Sequence, residues 1–166
     1  KEEKKMEGAL ISGIAFTKDE AEVMIKGVKD QPGVAAKILG PIGEANIEID
    51  MIVQNVGSNG LADFTFTVSR NTLKKALQVI DKNKKTMMYD SVSSKSNIVK
   101  VSIVGVGMRS HAGIASKMFK CLAKNKVNIR MISTSEIKIS VVIDQKNLEL
   151  AVKALHNEFK LEKIKK

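Results

Sequence analysis

Apolar and polar positions alternate in short runs along this chain and break into four helical stretches of three- and four-residue spacing. Ala9 to Phe16 alternates and is rich in β-formers, which predicts a strand, and Thr17-Lys18-Asp19-Glu20 reads as a polar turn. Ala21 to Val28 predicts a second strand with Val23, Ile25 and Val28 towards the core. After the loop Asp30-Gln31-Pro32-Gly33, a helix is expected over Val34 to Glu44, with Ala35, Ile38, Leu39 and Ile42 on its apolar side and Pro41 inside it. Asn46 to Val56 predicts a strand with Ile47, Ile49 and Met51 on one face and Glu48, Asp50 and Ile52 on the other. Gly57 to Gly60 is a hairpin connection into strand Leu61 to Ser69, where Phe64, Phe66 and Val68 share a face. Asn71 or Thr72 is positioned to cap helix Leu73 to Asn83, and Thr86 to Val92 reads as a fourth strand. The order is β-α-β-β-α-β, the ferredoxin-like arrangement.

The same order returns about eighty residues on. Strand Ile98 to Val106, helix Gly113 to Lys124, strands Asn128 to Ser133 and Glu136 to Ile143, and helix Leu148 to Phe159 make a second copy. Gly33 aligns with Gly113 and Val34-Ala35 with Ile114-Ala115. A two-residue shift then sets Asn46-Ile47 against Asn128-Ile129 and Gln54 against Glu136. An internal repeat of this length marks a duplicated domain. The closing Leu161 to Lys166 is short and charged, a poor fourth strand, so the spare strand at 9–16 is expected to complete the second sheet and interlock the two domains. The fold class is therefore α+β, with two ferredoxin-like domains in tandem. Residues 1–8 are a linker, 9–16 the strand lent to the second domain, 17–94 the first domain and 95–166 the second.

Composition narrows the function. Aromatic residues are 4% and Trp is absent, so both cores must be aliphatic. No apolar run approaches the roughly 18 residues that span a bilayer, and Lys1 to Leu10 has no signal-peptide core. One cysteine, Cys121, excludes an internal disulfide and fits a reducing cytoplasm. The net charge of +10 raises a nucleic-acid reading, but the lysines are dispersed among carboxylates and no stacking aromatics accompany them. A solvated basic surface explains the charge better, and neither nucleic acid nor membrane is expected as a partner.

No catalytic constellation is present. His111 and His156 stand apart, no ligand set has metal spacing, and Gly105-Val106-Gly107 lacks the rest of a dinucleotide fingerprint. A binding site is more credible. Each loop opens into a helix whose first N–H groups suit a carboxylate, and each Asn-Ile begins a strand whose backbone can pair in extended fashion. Asp30, Asp50, Glu136 and Gln54 suit an ammonium or a hydroxyl. A free amino acid carries both groups on one carbon.

Several segments resemble the regulatory region of aspartokinases. They are Ile14-Ala15-Phe16, Asp30-Gln31-Pro32-Gly33-Val34-Ala35, Asn46-Ile47-Glu48-Ile49-Asp50-Met51, Gln54-Asn55, Val104 to Met108, Ser110-His111, Gly113-Ile114-Ala115, Asn128-Ile129 and Ile132 to Ile137. The resemblance covers about Met6 to Phe159, and the pairing of Ser110-His111 with Ile132-Ser133-Thr134-Ser135-Glu136-Ile137 is its most specific part. It implies tandem ACT domains that bind lysine and/or threonine and so inhibit ATP-dependent phosphorylation of aspartate. It also implies pockets shared between ACT domains, a homodimer through those domains, and a catalytic domain or subunit that holds ATP and magnesium. One implied pocket uses Asp30, Gly33, Val34, Ala35 and Gln54 with Asn128 and Ile129. The other uses Met108, His111, Gly113, Ile114 and Ala115 with Asn46, Ile47 and Asp50, Ser135 and Glu136 lying nearby. Lys126 stands where an Asn is often seen, and Ala112 where Pro is common. A chain opening on Lys1 and lacking the kinase domain is expected to be a separate regulatory subunit or a fragment of a longer enzyme. The alternatives are a nucleic-acid-binding or a purely dimerising module on the same fold.

Overall fold

In the computed structural model, which describes residues 11–105 and 112–160, the polar stretch 17–20 does not break the chain into two strands. One strand, β1, runs Ile11–Lys29. Part of the polar stretch expected to force a turn is bonded where it stands. Asp19 accepts hydrogen bonds from Ser69 Oγ at 2.7 Å and from the Arg70 N–H at 3.0 Å, and Arg70 Nε donates to the Glu20 carbonyl at 3.1 Å. A strand whose polar groups find partners has no reason to bend towards water.

The remaining elements follow in the order anticipated: α1 (Val34–Glu44), β2 (Ile49–Val56), β3 (Leu61–Val68), α2 (Leu73–Lys82), α3 (Lys84–Met87), β4 (Ser91–Gly105), α4 (Ala112–Lys124), β5 (Ile129–Thr134), β6 (Lys138–Asp144) and α5 (Leu148–Glu158). They form two compact units. One is Asp19–Asn97; the other joins residues 11–18 to Ile98 and beyond.

In the Asp19–Asn97 unit the strand order is β2-β3-β1-β4, with β1 and β2 both antiparallel to β3. Its core is Val23, Ile25, Val28, Val34, Ile38, Ile42, Phe64, Phe66, Ala76 and Ile80, closed by Met87. The other unit has the order β1-β4-β6-β5. There the N-terminal part of β1 fills the place of the missing fourth strand: Ser12 Oγ donates to the Val104 carbonyl at 3.1 Å, and Ile11 and Ile14 pack against Val99, Val101, Met118, Leu122, Val141 and Leu155. Cys121 is buried, and burial together with the Glu158 carboxylate pushes its thiol pKa up, against the opposing effect of Lys124.

Four expectations need correction. Thr86–Val92 is not a strand. Residues 84–87 make a helical turn, Met88 adopts a left-handed φ of 54, and pairing starts only at Ser91, as the first residues of β4. Neither Asn71 nor Thr72 caps α2 with its side chain; Thr72 Oγ1 instead donates to the Ser69 carbonyl at 2.9 Å, within a 3₁₀ turn over Arg70–Thr72. Ala35 is exposed, and the buried stripe of α1 is Val34, Ile38 and Ile42, which recur at four-residue spacing along one face. Finally, the pairing of β2 shifts register between Ile49 and Ile52. Such a bulge reverses the faces beyond it, so Ile52 and Gln54 stand opposite Phe66 and Phe64, on the core side of the sheet.

Candidate functional site

The loop between β1 and α1 is built from its backbone outward. Asp30 is tied to the hairpin connection by its N–H, which donates to the Gly60 carbonyl at 2.9 Å. Val34 N–H turns back to the Gln31 carbonyl at 3.1 Å. Between them Gly33 caps the helix at φ 88 and ψ −2, a left-handed conformation that excludes most side chains although open space surrounds its Cα. The first helical bond is Lys37 N–H to the Gly33 carbonyl at 3.0 Å, so the N–H groups of Ala35 and Ala36 precede any intrahelical acceptor, and no side chain caps them. Both residues are exposed. Their amide dipoles and that of the helix make a positive end aimed at solvent. Asp30, in the same loop, is also exposed. A zwitterion fits this pairing of opposite charges.

Gln54 lies two strands over from the loop, across β3. The bulge brings its side chain to the face that carries α1, and it is exposed there because β2 is an edge strand. Val34 and Ile47 are buried in the core. Only their backbones are available to a ligand.

The start of β2 differs from the sequence expectation. Asn46 is not extended: it has φ 58, its N–H bonds the Gly43 carbonyl at 2.9 Å, and it closes α1 as a left-handed end residue. In the second repeat that conformation belongs to Lys126, also φ 58, whose N–H bonds the Ala123 carbonyl at 2.9 Å. Ile47 N–H bonds Ile42 and Val127 N–H bonds Leu122 in the same way. Burial from 47 to 52 repeats residue for residue from 127 to 132. The two-residue shift in the repeat alignment is therefore absent. Asn46 matches Lys126, Glu48 matches Asn128, Ile49 matches Ile129 and Gln54 matches Thr134. Asn-Ile occurs twice by coincidence of letters, at non-equivalent places, and Glu48 and Thr134 are the positions that the shifted alignment overlooked.

In the second repeat, Met108 and His111 lie outside the described residues. Gly113 is exposed and already inside α4, which begins at Ala112, so it does not repeat the capping role of Gly33. Ile114, Ala115 and Ile129 are half-buried against the core, while Asn128 is exposed. Ser135 shapes the hairpin between β5 and β6: its N–H donates to the Lys138 carbonyl at 2.8 Å and its Oγ accepts from the Lys138 N–H at 3.2 Å. Glu136, at the tip of that hairpin, and Asp50, on β2, are exposed. Among the described residues no three His, Cys, Asp or Glu side chains converge as a metal would need, and no helix is long and apolar enough to cross a membrane.

Comparison with known proteins agrees with this architecture. The ACT-domain family matches residues 22–84 and again 101–159. The chain is 61% identical over 161 residues to an aspartate kinase of Stutzerimonas stutzeri and 59% identical to an aspartokinase of Pseudomonas aeruginosa, covering 97% of this chain and 39% of each relative. It thus spans about two fifths of the length of the curated relatives it matches. Among solved structures, a chain from the aspartokinase alpha and beta subunits superposes with a TM-score of 0.86 at 48% identity, over 90% of this chain and 99% of that one. The ligand-free regulatory subunit of aspartate kinase from Thermus thermophilus superposes with a TM-score of 0.85 at 36% identity, with the same coverage.

Proposed function

Since the chain belongs to the aspartokinase family, as its tandem-ACT regulatory region, we propose that it senses lysine and/or threonine and restrains an aspartate kinase by feedback. The observation that carries the reading is the uncapped start of α1 behind left-handed Gly33, in a loop that also carries exposed Asp30. The helix start takes the amino acid's carboxylate, and Asp30 and Gln54 take its ammonium and side-chain polar group. Asn128 and the Ile129 backbone of a second ACT domain complete the pocket. ATP, magnesium and aspartate belong to a catalytic domain or subunit, with which this region associates in the cytoplasm as a homodimer joined through its ACT domains.

An effector shifts a conformational equilibrium only by binding one state more tightly than the other. Bridging two ACT domains supplies such a difference, because the bridged arrangement has contacts that the open one lacks. The test is a thermal-shift titration with lysine, threonine, both together, and methionine as control. A ligand at a hundred times its Kd raises stability by about 2.7 kcal/mol, which is several degrees for a protein of this size. A rise with lysine or threonine and none with methionine is the expected result. Equal, negligible shifts with all of them would count against the reading.

A further inference from the structure

The second helix of the first unit leaves part of its apolar side uncovered. Leu73 and Leu77, one turn apart on α2, are only half-buried, and with exposed Ser96 of β4 they line an open groove of about 570 Å³. The second unit has no such vacancy in its fourth strand, which brings Ile11 and Ile14 onto the core that holds Leu148 and Leu155 of α5. In the first unit the fourth strand is the start of β4. Val92 packs on the core there, but Ser93, Ser94, Lys95, Ser96 and Asn97 follow, and no aliphatic side chain returns until Ile98.

Charge sets the groove apart as well. The 3₁₀ turns over Arg70–Thr72 and Gln145–Asn147 lead into α2 and α5 in the same way, so Arg70 matches Gln145 and Lys74 matches Glu149. Arg70 and Lys74 line the groove, and Asp81 lines it two turns further along α2. From Arg70 to Lys85 the chain carries six cations and one carboxylate, whereas the matched run from Gln145 to Lys160 carries three and two. Both runs make the same turn and helix, so packing does not require the excess of positive charge.

We propose that this groove docks an acidic amphipathic segment of the catalytic domain or subunit. The proposal rests on the regulatory function read above. Apolar side chains of the segment cover Leu73 and Leu77, and its carboxylates meet Arg70 and Lys74, which fixes orientation more than it adds affinity. Nucleic acid would call for stacking aromatics, and the floor of this groove is aliphatic. The chain covers 39% of each curated relative, so most of each relative's length lies outside it and can supply the segment.

The test combines lysine acetylation, read by mass spectrometry on the chain alone and on the assembled kinase that contains it, with zero-length carbodiimide cross-linking of the assembly. In the assembly Lys74 should react several-fold more slowly than in the free chain, while Lys153, on the matched helix, should react alike in both. Carbodiimide should join Lys74 to an Asp or Glu of the catalytic part. Lys74→Gln should abolish that link without lowering the melting temperature of the chain, since Lys74 is exposed. Lys74 that reacts equally in both samples, equal protection of Lys74 and Lys153, or a link only to a second copy of this chain overturns the proposal and leaves amino-acid sensing intact. A chain that joins no catalytic part removes the regulatory reading itself.

Discussion

Individual residues with left-handed backbone mark where this chain is most constrained. Gly27 has φ 76 at the register shift between Ile25 and Val28 of β1; its N–H bonds Asp63 Oδ1 at 2.9 Å, and a Cβ there would collide with the Asp90 carboxylate. Gly27→Ala combines the backbone penalty with that collision and is expected to cost about 2 kcal/mol in chemical denaturation. The opposite change is available at Lys126. A lysine at φ 58 bears the left-handed penalty that Asn46, at the matched position, bears more easily. Lys126→Gly should stabilise the protein by about 0.5–1 kcal/mol, read as a shift of the denaturation midpoint without a change in slope. Neither constraint can be found from apolar periodicity, since positive φ is a property of the local turn. The Gly33 loop was legible because Pro and Gly announce it; Asn46 and Lys126 carry no such letter pattern.

At the scale of elements, the sequence placed helices better than strands. Helix α1 was anticipated to the residue, and α2, α4 and α5 to within one. Strand ends were missed where a polar group found a partner far along the chain, as Asp19 does at Ser69 and Arg70. Those bonds tie the middle of β1 to the connection between β3 and α2. Asp19→Ala should cost about 1–2 kcal/mol and increase hydrogen exchange at Arg70 first, whereas a mere polar turn at 17–20 would tolerate the change. The bulge in β2 was equally invisible. One extra residue moves Ile52 and Gln54 to the opposite face, and only the pairing partner reveals it. The same bulge recurs in β5 between Ile129 and Met131, leaving Ile52 and Ile132 exposed at 51% and 45% on matching edges.

For the molecule as a whole, the duplication dictates two cores, and the chain's path decides how each sheet is completed. Deleting residues 1–18 removes Ile11 and Ile14 from the second core while leaving the Asp19–Asn97 unit whole. Amides of Val141 and Ile143 should then lose hydrogen-exchange protection, and those of Phe64 and Phe66 should keep it. Equal loss in both sets would mean that the units fold as one cooperative block.

The sequence by itself determined the repeat, the βαββαβ order and the glycine loop at a helix start, because these depend on short-range periodicity and on letters with restricted backbone freedom; the expectation of purely aliphatic cores fails in the first unit, where Phe64 and Phe66 are fully buried. Only the tertiary structure decided that Thr17–Glu20 is strand, that Met88 and Lys126 are left-handed, and that Glu48, not Asn46, is the partner of Asn128. Each of those depends on hydrogen bonds and register between segments distant in the chain or on the closing turn of a helix. Such bonds are chosen by the folded surroundings, and no window of neighbouring residues contains them.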